Sequence, residues 1–206
     1  MNNCVCIDEK ATIVSQTIEK DFQSLIDNNF ENILGKFIND KRVKCFIEYY
    51  NKIVLDHDKI NFGTFKAKWA IQGMTKEVYN DFNKFFYDER KNIIIKEKDI
   101  DSFYIKCCCK KRKELIFCCK LFHVILPDLF PPIDNQIIKH FGLSNKNKID
   151  SYKIIKRGYD LFLEKNEEKL NQIKLALTKE EYRYIRINEL TNYRIIDMIY
   201  WVNLNR

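Results

Sequence analysis

Glycine and proline are scarce in this chain, five and three in 206 residues. An all-β sandwich or barrel of this length needs turn formers at every hairpin, so that class is excluded. Long uncharged apolar runs are also missing. No stretch reaches the roughly 18 apolar residues of a membrane-spanning helix, and the N-terminal MNNCVCIDEK lacks the basic-then-apolar layout of a secretory signal. The expectation is an intracellular protein, cytoplasmic or nucleoid-associated, with no membrane partner. A paired C-x-x-C arrangement is absent as well, although there are eight cysteines. In a reducing compartment these read as thiols, and Cys107, Cys108 and Cys109, like Cys118 and Cys119, point in different directions on a helix. Only Cys4 and Cys6 with a distant partner retain the spacing of metal ligands. Neither a metal nor another cofactor is expected.

What is present favours a real core: 46% of residues are hydrophobic and 14% aromatic, ample for burial in a chain of this size. The formal charge is +7 and the pI about 8.9. Because 29 acidic residues accompany the 36 basic ones, the excess is a patch and not a uniform coat. Such a patch attracts phosphate backbones, anionic membranes or acidic proteins, with nucleic acid the commonest answer for a compact basic domain. DNA is the partner expected here.

Hydrophobic periodicity predicts helices joined by short polar loops. Ile18, Phe22, Leu25 and Ile26 recur at helical spacing within Ile13 to Leu34, and a second such run covers Arg42 to Leu55. Phe62 to Ile71 predicts a helix closed by Gly73, followed by one from Thr75 with an aromatic face. Asn92 to Ile95 is a short β-branched run, either a strand or an extended link. Ser102 to Leu126 is apolar in nearly every helical direction, which predicts a central buried helix ended by Pro127. Asn135 to Phe141 is a short helix closing at Gly142. Ser151 to Leu177 predicts one long amphipathic helix, Thr178 with Glu181 a capping box, and Asn188 to Val202 a final helix. No repeat or linker marks a domain boundary, so residues 1–206 read as a single helical unit.

One segment carries more than fold information. From His123 to Gly142, and most clearly at Pro131-Pro-Ile-Asp-Asn-Gln-Ile-Ile-Lys-His-Phe-Gly-Leu143, the chain resembles the helix-hairpin-helix family of base-excision DNA glycosylases. The resemblance extends upstream through Lys120-Leu-Phe-His-Val-Ile-Leu-Pro-Asp-Leu-Phe130 and to Tyr193-Arg-Ile-Ile-Asp-Met-Ile-Tyr-Trp201. It implies an all-α, two-lobed helical domain with Asp134 in the place of the family's catalytic aspartate, at a cleft between the lobes. The glycine-rich Leu-Pro-Gly-Val-Gly hairpin, which in the family offers N–H groups to a DNA phosphate, is missing here.

In its place Lys106, Lys110, Lys111, Arg112 and Lys113 form a basic cluster able to neutralise phosphates by side chain; a solvated helix end has the same composition. Asp134 suits N-glycosidic cleavage because a fixed carboxylate stabilises the positive charge that builds on the sugar. It equally suits an N-cap before a short helix, and the two roles are compatible. Lys120 lies three residues before His123, so both can share a polar stripe with Lys113. Desolvation would make Lys120 a nucleophile of the kind strand-cutting glycosylases use; the plain reading is a lysine snorkelling at the rim of a core helix. His123 reads as a substrate-binding group or a hydrogen-bonded core histidine. Arg194 and Asp197, spaced i,i+3, pair with each other or hold a loop, with bordering the active pocket as the functional alternative. Trp201 and Trp69 have the chemistry to sandwich an extruded base, and also to fill a core.

These residues lead to a DNA-binding protein that excises a damaged or modified base, as a DNA glycosylase with or without lyase activity. The alternative is a non-enzymatic helical nucleic-acid-binding or adaptor protein, since a fold does not fix a function.

Overall fold

The computed structural model describes residues 2–28, 41–56, 60–69, 71, 115–144, 147–176 and 190–204. Among them lie eight helices and no strand, so the described fold is all-α, in line with the scarcity of turn formers. They are α1 (Asn2–Asn28), α2 (Lys41–Leu55), α3 (Phe62–Lys68), α4 (Leu115–Ile125), α5 (Asn135–His140), α6 (Lys148–Lys165), α7 (Glu167–Ala176) and α8 (Asn192–Leu204). No helix among the described residues is long and apolar enough to cross a membrane. The chain divides into two compact units: Met1–Lys44 with Ile133–Arg206, and Cys45–Pro132. The second is an insertion in the first, a division that no linker signals in the sequence.

In the first unit α1 buries Ala11, Val14, Ile18 and Phe22, a stripe at steps of three and four residues that marks one helical face. This face meets α6 at Gly158, where a Cβ would stand 2.5 Å from Val14 Cγ1, 2.7 Å from Val14 Cβ and 3.0 Å from the Ala11 carbonyl. Only the absence of a side chain lets the two backbones come so close. Beyond it the Phe22 and Phe162 rings meet edge to face at 4.9 Å. Exposed pairs such as Arg157 with Asp8 and Lys169 with Glu19, each at 3.5 Å, rim this contact and add little.

α1 begins at Asn2, eleven residues before the apolar pattern starts, because Cys4, Val5, Cys6 and Ile7 form a consecutive run and not a stripe at helical spacing. The single helix expected from Ser151 onward is two helices. At Asn166, with φ −127° and ψ 29°, the backbone N–H donates to the Phe162 carbonyl at 3.0 Å and the side-chain amide donates to the same oxygen at 3.1 Å. A short polar side chain competing for a backbone acceptor breaks the helical run. The Asn166 carbonyl then accepts from Leu170 N–H at 3.2 Å, which starts α7. Thr191 opens α8 with its hydroxyl oxygen accepting from Arg194 N–H at 3.3 Å.

In the second unit α2 buries Phe46, Ile47, Tyr50 and Ile53. α3 is capped by Asn61, whose side chain accepts from Thr64 N–H at 3.0 Å, and closes at Trp69. The two helices and α4 share an aromatic core, with Phe46 and Trp69 at 4.8 Å, Phe65 and Phe117 at 5.6 Å, and Phe62 and Phe117 at 5.8 Å. Every residue of α4 except Ile116 is buried, as its all-round hydrophobicity predicts. Pro127 follows the helix, and the Leu126 carbonyl accepts from both Leu129 and Phe130 N–H, at 3.0 and 3.2 Å. Phe130 folds back on Phe122 at 4.9 Å. The helix expected from Thr75, the run at Asn92 to Ile95, the stretch from Ser102 to Glu114 and the Thr178–Glu181 capping box lie outside the described residues.

Replacing Gly158 by Ala sets two effects against each other. Alanine in an ordinary helix interior gains about 0.5–1 kcal/mol, whereas overpacking costs about 1–3 kcal/mol. The clash with Val14 and the Ala11 backbone should win, lowering stability by about 1–2 kcal/mol in urea unfolding. An unchanged or raised midpoint would refute the close approach of α1 and α6.

Candidate functional site

Asp134 begins α5 in extended conformation, with φ −126° and ψ −179°. The preceding Pro131, Pro132 and Ile133 are buried, and each proline holds the residue before it out of the helical region. Asp134 Oδ1 then accepts from the N–H of Gln136 at 2.9 Å and of Ile137 at 3.0 Å. The carboxylate is thus fixed at the helix N-terminus and half exposed. The other end of α5 is equally well held. Gly142, at φ 66°, donates to the Lys139 carbonyl and Leu143 donates to Ile138, both at 3.0 Å, a Schellman closure that requires the left-handed glycine. His140 Nε2 lies 2.8 Å from Asp21 Oδ2 on α1, and Tyr200 on α8 donates its hydroxyl to the same oxygen at 2.8 Å.

The first unit also holds a buried phenol that the sequence reading did not single out. Tyr159, on α6 directly after Gly158, is fully buried, and no described residue hydrogen-bonds to its hydroxyl. Burial pushes its ionisation well above the usual phenol range, and the charges of Asp197 and then Asp134 push it further. Tyr200 is raised in the same direction by burial, then by Tyr159 and Asp21. Asp197 itself pairs with Arg194. Both are nearly inaccessible, Arg194 at 2% and Asp197 at 6% exposure, so each depends on its partner to offset the cost of leaving water. Of the residues singled out from sequence, Asp134, Arg194 and Asp197 lie in the first unit, where Arg194 pairs with Asp197 and both carboxylates act on Tyr159 through their charge. Trp201 lies on the same α8, half-buried.

Lys120 and His123 belong to the second unit and share a different environment. His123 is 0% exposed. Its Nδ1 is 2.7 Å from the Phe130 carbonyl, which can only accept, so Nδ1 carries the hydrogen. Nε2 is 2.9 Å from the Tyr50 hydroxyl, and the neutral tautomer satisfies both contacts. The Tyr50 and His123 rings stack at 5.6 Å. Lys120, 7% exposed, donates to the Trp69 carbonyl at 3.2 Å and stands 5.3 Å from the centroid of the Trp69 ring. This cation–π contact keeps some of the stabilisation the ammonium loses on leaving water. Trp69 is buried in the aromatic core. The cluster Lys106, Lys110, Lys111, Arg112 and Lys113 lies outside the described residues.

Among the described residues no group of His, Cys, Asp or Glu is placed to hold a metal ion. Cys6 is exposed, Cys45 half-buried, and Cys118 and Cys119 are buried. Sequence reasoning missed Tyr159, Tyr50, Asp21, His140 and Tyr200. Only Tyr159 leaves a trace, since an isolated glycine inside a helical pattern, here Gly158, points to a close approach. No family model matches this sequence, and no curated protein or solved structure matches it either.

Two outcomes are expected. Tyr159 and Tyr200 keep their protons in the folded state beyond the ordinary phenol pKa near 10. Their contribution to stability is complete below about pH 10 and is lost as pH rises above it, because there only the unfolded chain gives up the protons. An alkaline titration should show the phenolate absorbance of two tyrosines appearing together with loss of the helical circular dichroism, and earlier ionisation of both would contradict their burial. Separately, His123→Leu removes two buried hydrogen bonds and should cost about 2–4 kcal/mol in chemical unfolding. A loss under about 0.5 kcal/mol, typical of a surface site, would argue against that environment.

Proposed function

We propose that this protein binds DNA and excises a damaged or modified base by cleaving the N-glycosidic bond, with Asp134 as the acting carboxylate. The observation that carries the reading is the fixation of Asp134: two backbone N–H groups hold one of its oxygens at the start of α5, while the residue remains half exposed. A carboxylate already oriented needs no reorganisation when positive charge develops on the deoxyribose, and that is the source of electrostatic catalysis. The resemblance around Pro131 to Leu143 supports the same assignment, and the net charge of +7 suits a polyanionic substrate. Hydrolytic release is the primary reaction, with the target base turned out of the duplex. Lys120 is the candidate for a subsequent lyase step through a Schiff base, a role in which its amine has to leave the Trp69 carbonyl.

A second reading is favoured by a specific observation. An aspartate whose oxygen already accepts two N–H bonds is fully accounted for as an N-cap, and His123 has both ring nitrogens engaged. Under that reading the chain binds nucleic acid as a non-enzymatic or adaptor protein.

Asp134→Asn separates the two, since asparagine caps a helix about as well as aspartate but carries no charge. Labelled duplexes bearing a panel of damaged bases should lose a base to the wild type, with the variant slower by about 100-fold or more at unchanged thermal stability. Borohydride trapping absent in Lys120→Ala would add the lyase step. Salt-sensitive DNA binding by both proteins with no base release would replace the enzyme by the binding protein.

A further inference from the structure

Three elements of the first unit meet at a single carboxylate oxygen. Asp21 Oδ2 on α1 lies 2.8 Å from His140 Nε2 on α5 and accepts from the Tyr200 hydroxyl on α8 at 2.8 Å. A carboxylate oxygen that accepts from the phenol offers Nε2 only an acceptor, so Nε2 carries the hydrogen, as it does in the charged ring and in one neutral tautomer alike. The contact therefore does not depend on the charge of the histidine. Rings close around it: His140 and Tyr200 stand 5.1 Å apart, and Phe141 packs 5.5 Å from Tyr200 and 6.4 Å from Tyr159. Tyr200 is 2% exposed, so its hydroxyl depends on this acceptor. The side chains of His140 and Asp21 are 26% and 32% exposed, and a pair so open to solvent adds little to overall stability.

Its weight falls on α5. That helix has six residues, about 9 Å of length, too short to hold its own shape, and its N-cap is Asp134. Backbone bonds run from one end to the other, from Ile138 N–H to the Asp134 carbonyl at 3.0 Å and from Phe141 N–H to the Ile137 carbonyl at 3.2 Å. A constraint at His140 is therefore carried to the turn that presents the Asp134 carboxylate. We propose that Asp21 is a positioning residue for Asp134: by gripping His140 and Tyr200 with one oxygen it ties the far end of α5 to α1 and α8, and so fixes the direction in which the Asp134 carboxylate faces. Asp21 acts only through α5 and takes no part in the chemistry. The tie stands by itself; its effect on catalysis rests on the base-excision reading above.

The test is amide hydrogen exchange followed by NMR on the full-length chain, wild type against Asp21→Ala. The amides of Ile138 and Phe141, which carry the backbone bonds of α5, should lose about tenfold in protection, because a short helix cut loose opens locally, while those of Phe162 on α6 and Phe122 on α4 change by less than about twofold. Unchanged protection at α5 overturns the tie. So does an equal loss at all four amides, which would assign Asp21 to stability at large. Asp21→Asn keeps a neutral oxygen acceptor and should fall between the two, and it decides by the same readings if Asp21→Ala does not fold. On any lesion that the wild type processes, Asp21→Ala should lose about tenfold in kcat at unchanged KM, the signature of lost transition-state stabilisation, and Asp21→Asn should recover part of it. Normal kcat in a variant whose α5 has loosened overturns the positioning role, as does a change confined to KM. If no lesion is processed, the base-excision reading and the positioning role fail together, while amide exchange still decides whether Asp21 ties α5.

Discussion

The first unit depends on the absence of a side chain at Gly158. With a Cβ there, Val14 and the Ala11 carbonyl would be in collision, and α6 would have to lift away from α1. Tyr159 is the next residue on α6, so the depth at which that helix sits also sets how deeply the phenol is buried. α1 contributes a second constraint through Asp21, which holds His140 at the end of α5 and Tyr200 on α8. Asp134 thus occupies one end of a six-residue helix whose other end is tied to a different element. A helix this short has little stability of its own, and its orientation comes from those attachments.

The second unit solves a different problem with the same chemistry. α4 is apolar nearly all round, yet carries Lys120 and His123. Both are accommodated by acceptors and rings that the aromatic core supplies: the Trp69 carbonyl and indole for the lysine, the Phe130 carbonyl and Tyr50 hydroxyl for the histidine. The Phe130 carbonyl is available because Pro127 ends the helix and the chain folds back over Phe122. The buried polar groups of α4 are therefore linked to the turn that leads on to Asp134.

The charge, the carboxylate and the fold bear on function in different ways. A net charge of +7 concerns association with polyanions and is indifferent to the topology of the helices. The fixed carboxylate of Asp134 concerns a reaction that develops positive charge, and it has that property whatever the charge of the surface. An all-α fold is compatible with enzymes and binding proteins alike. The proposed function requires the first two together, on one surface, with a substrate that carries both a phosphate backbone and a glycosidic bond.

Much of the fold was legible in the residues themselves. The span of α2, the stop at Pro127, the cap at Asp134 and the closure at Gly142 follow from local rules, since each depends on neighbours within about four positions in sequence. The pairing of Arg194 with Asp197 was legible as one of several alternatives for the same reason. The start of α1 and the break at Asn166 were not, because neither leaves a mark in the apolar pattern. Still less could the sequence show that Tyr50 would meet His123 or that Asp21 would hold His140, 73 and 119 positions apart. Sequence by itself determined helical character, charge and the local conformation of Asp134. Only the tertiary structure decided that Tyr159 lies fully buried and that Asp21 meets His140 and Tyr200, because burial and long-range proximity are properties of how helices pack against one another, and no residue carries them alone.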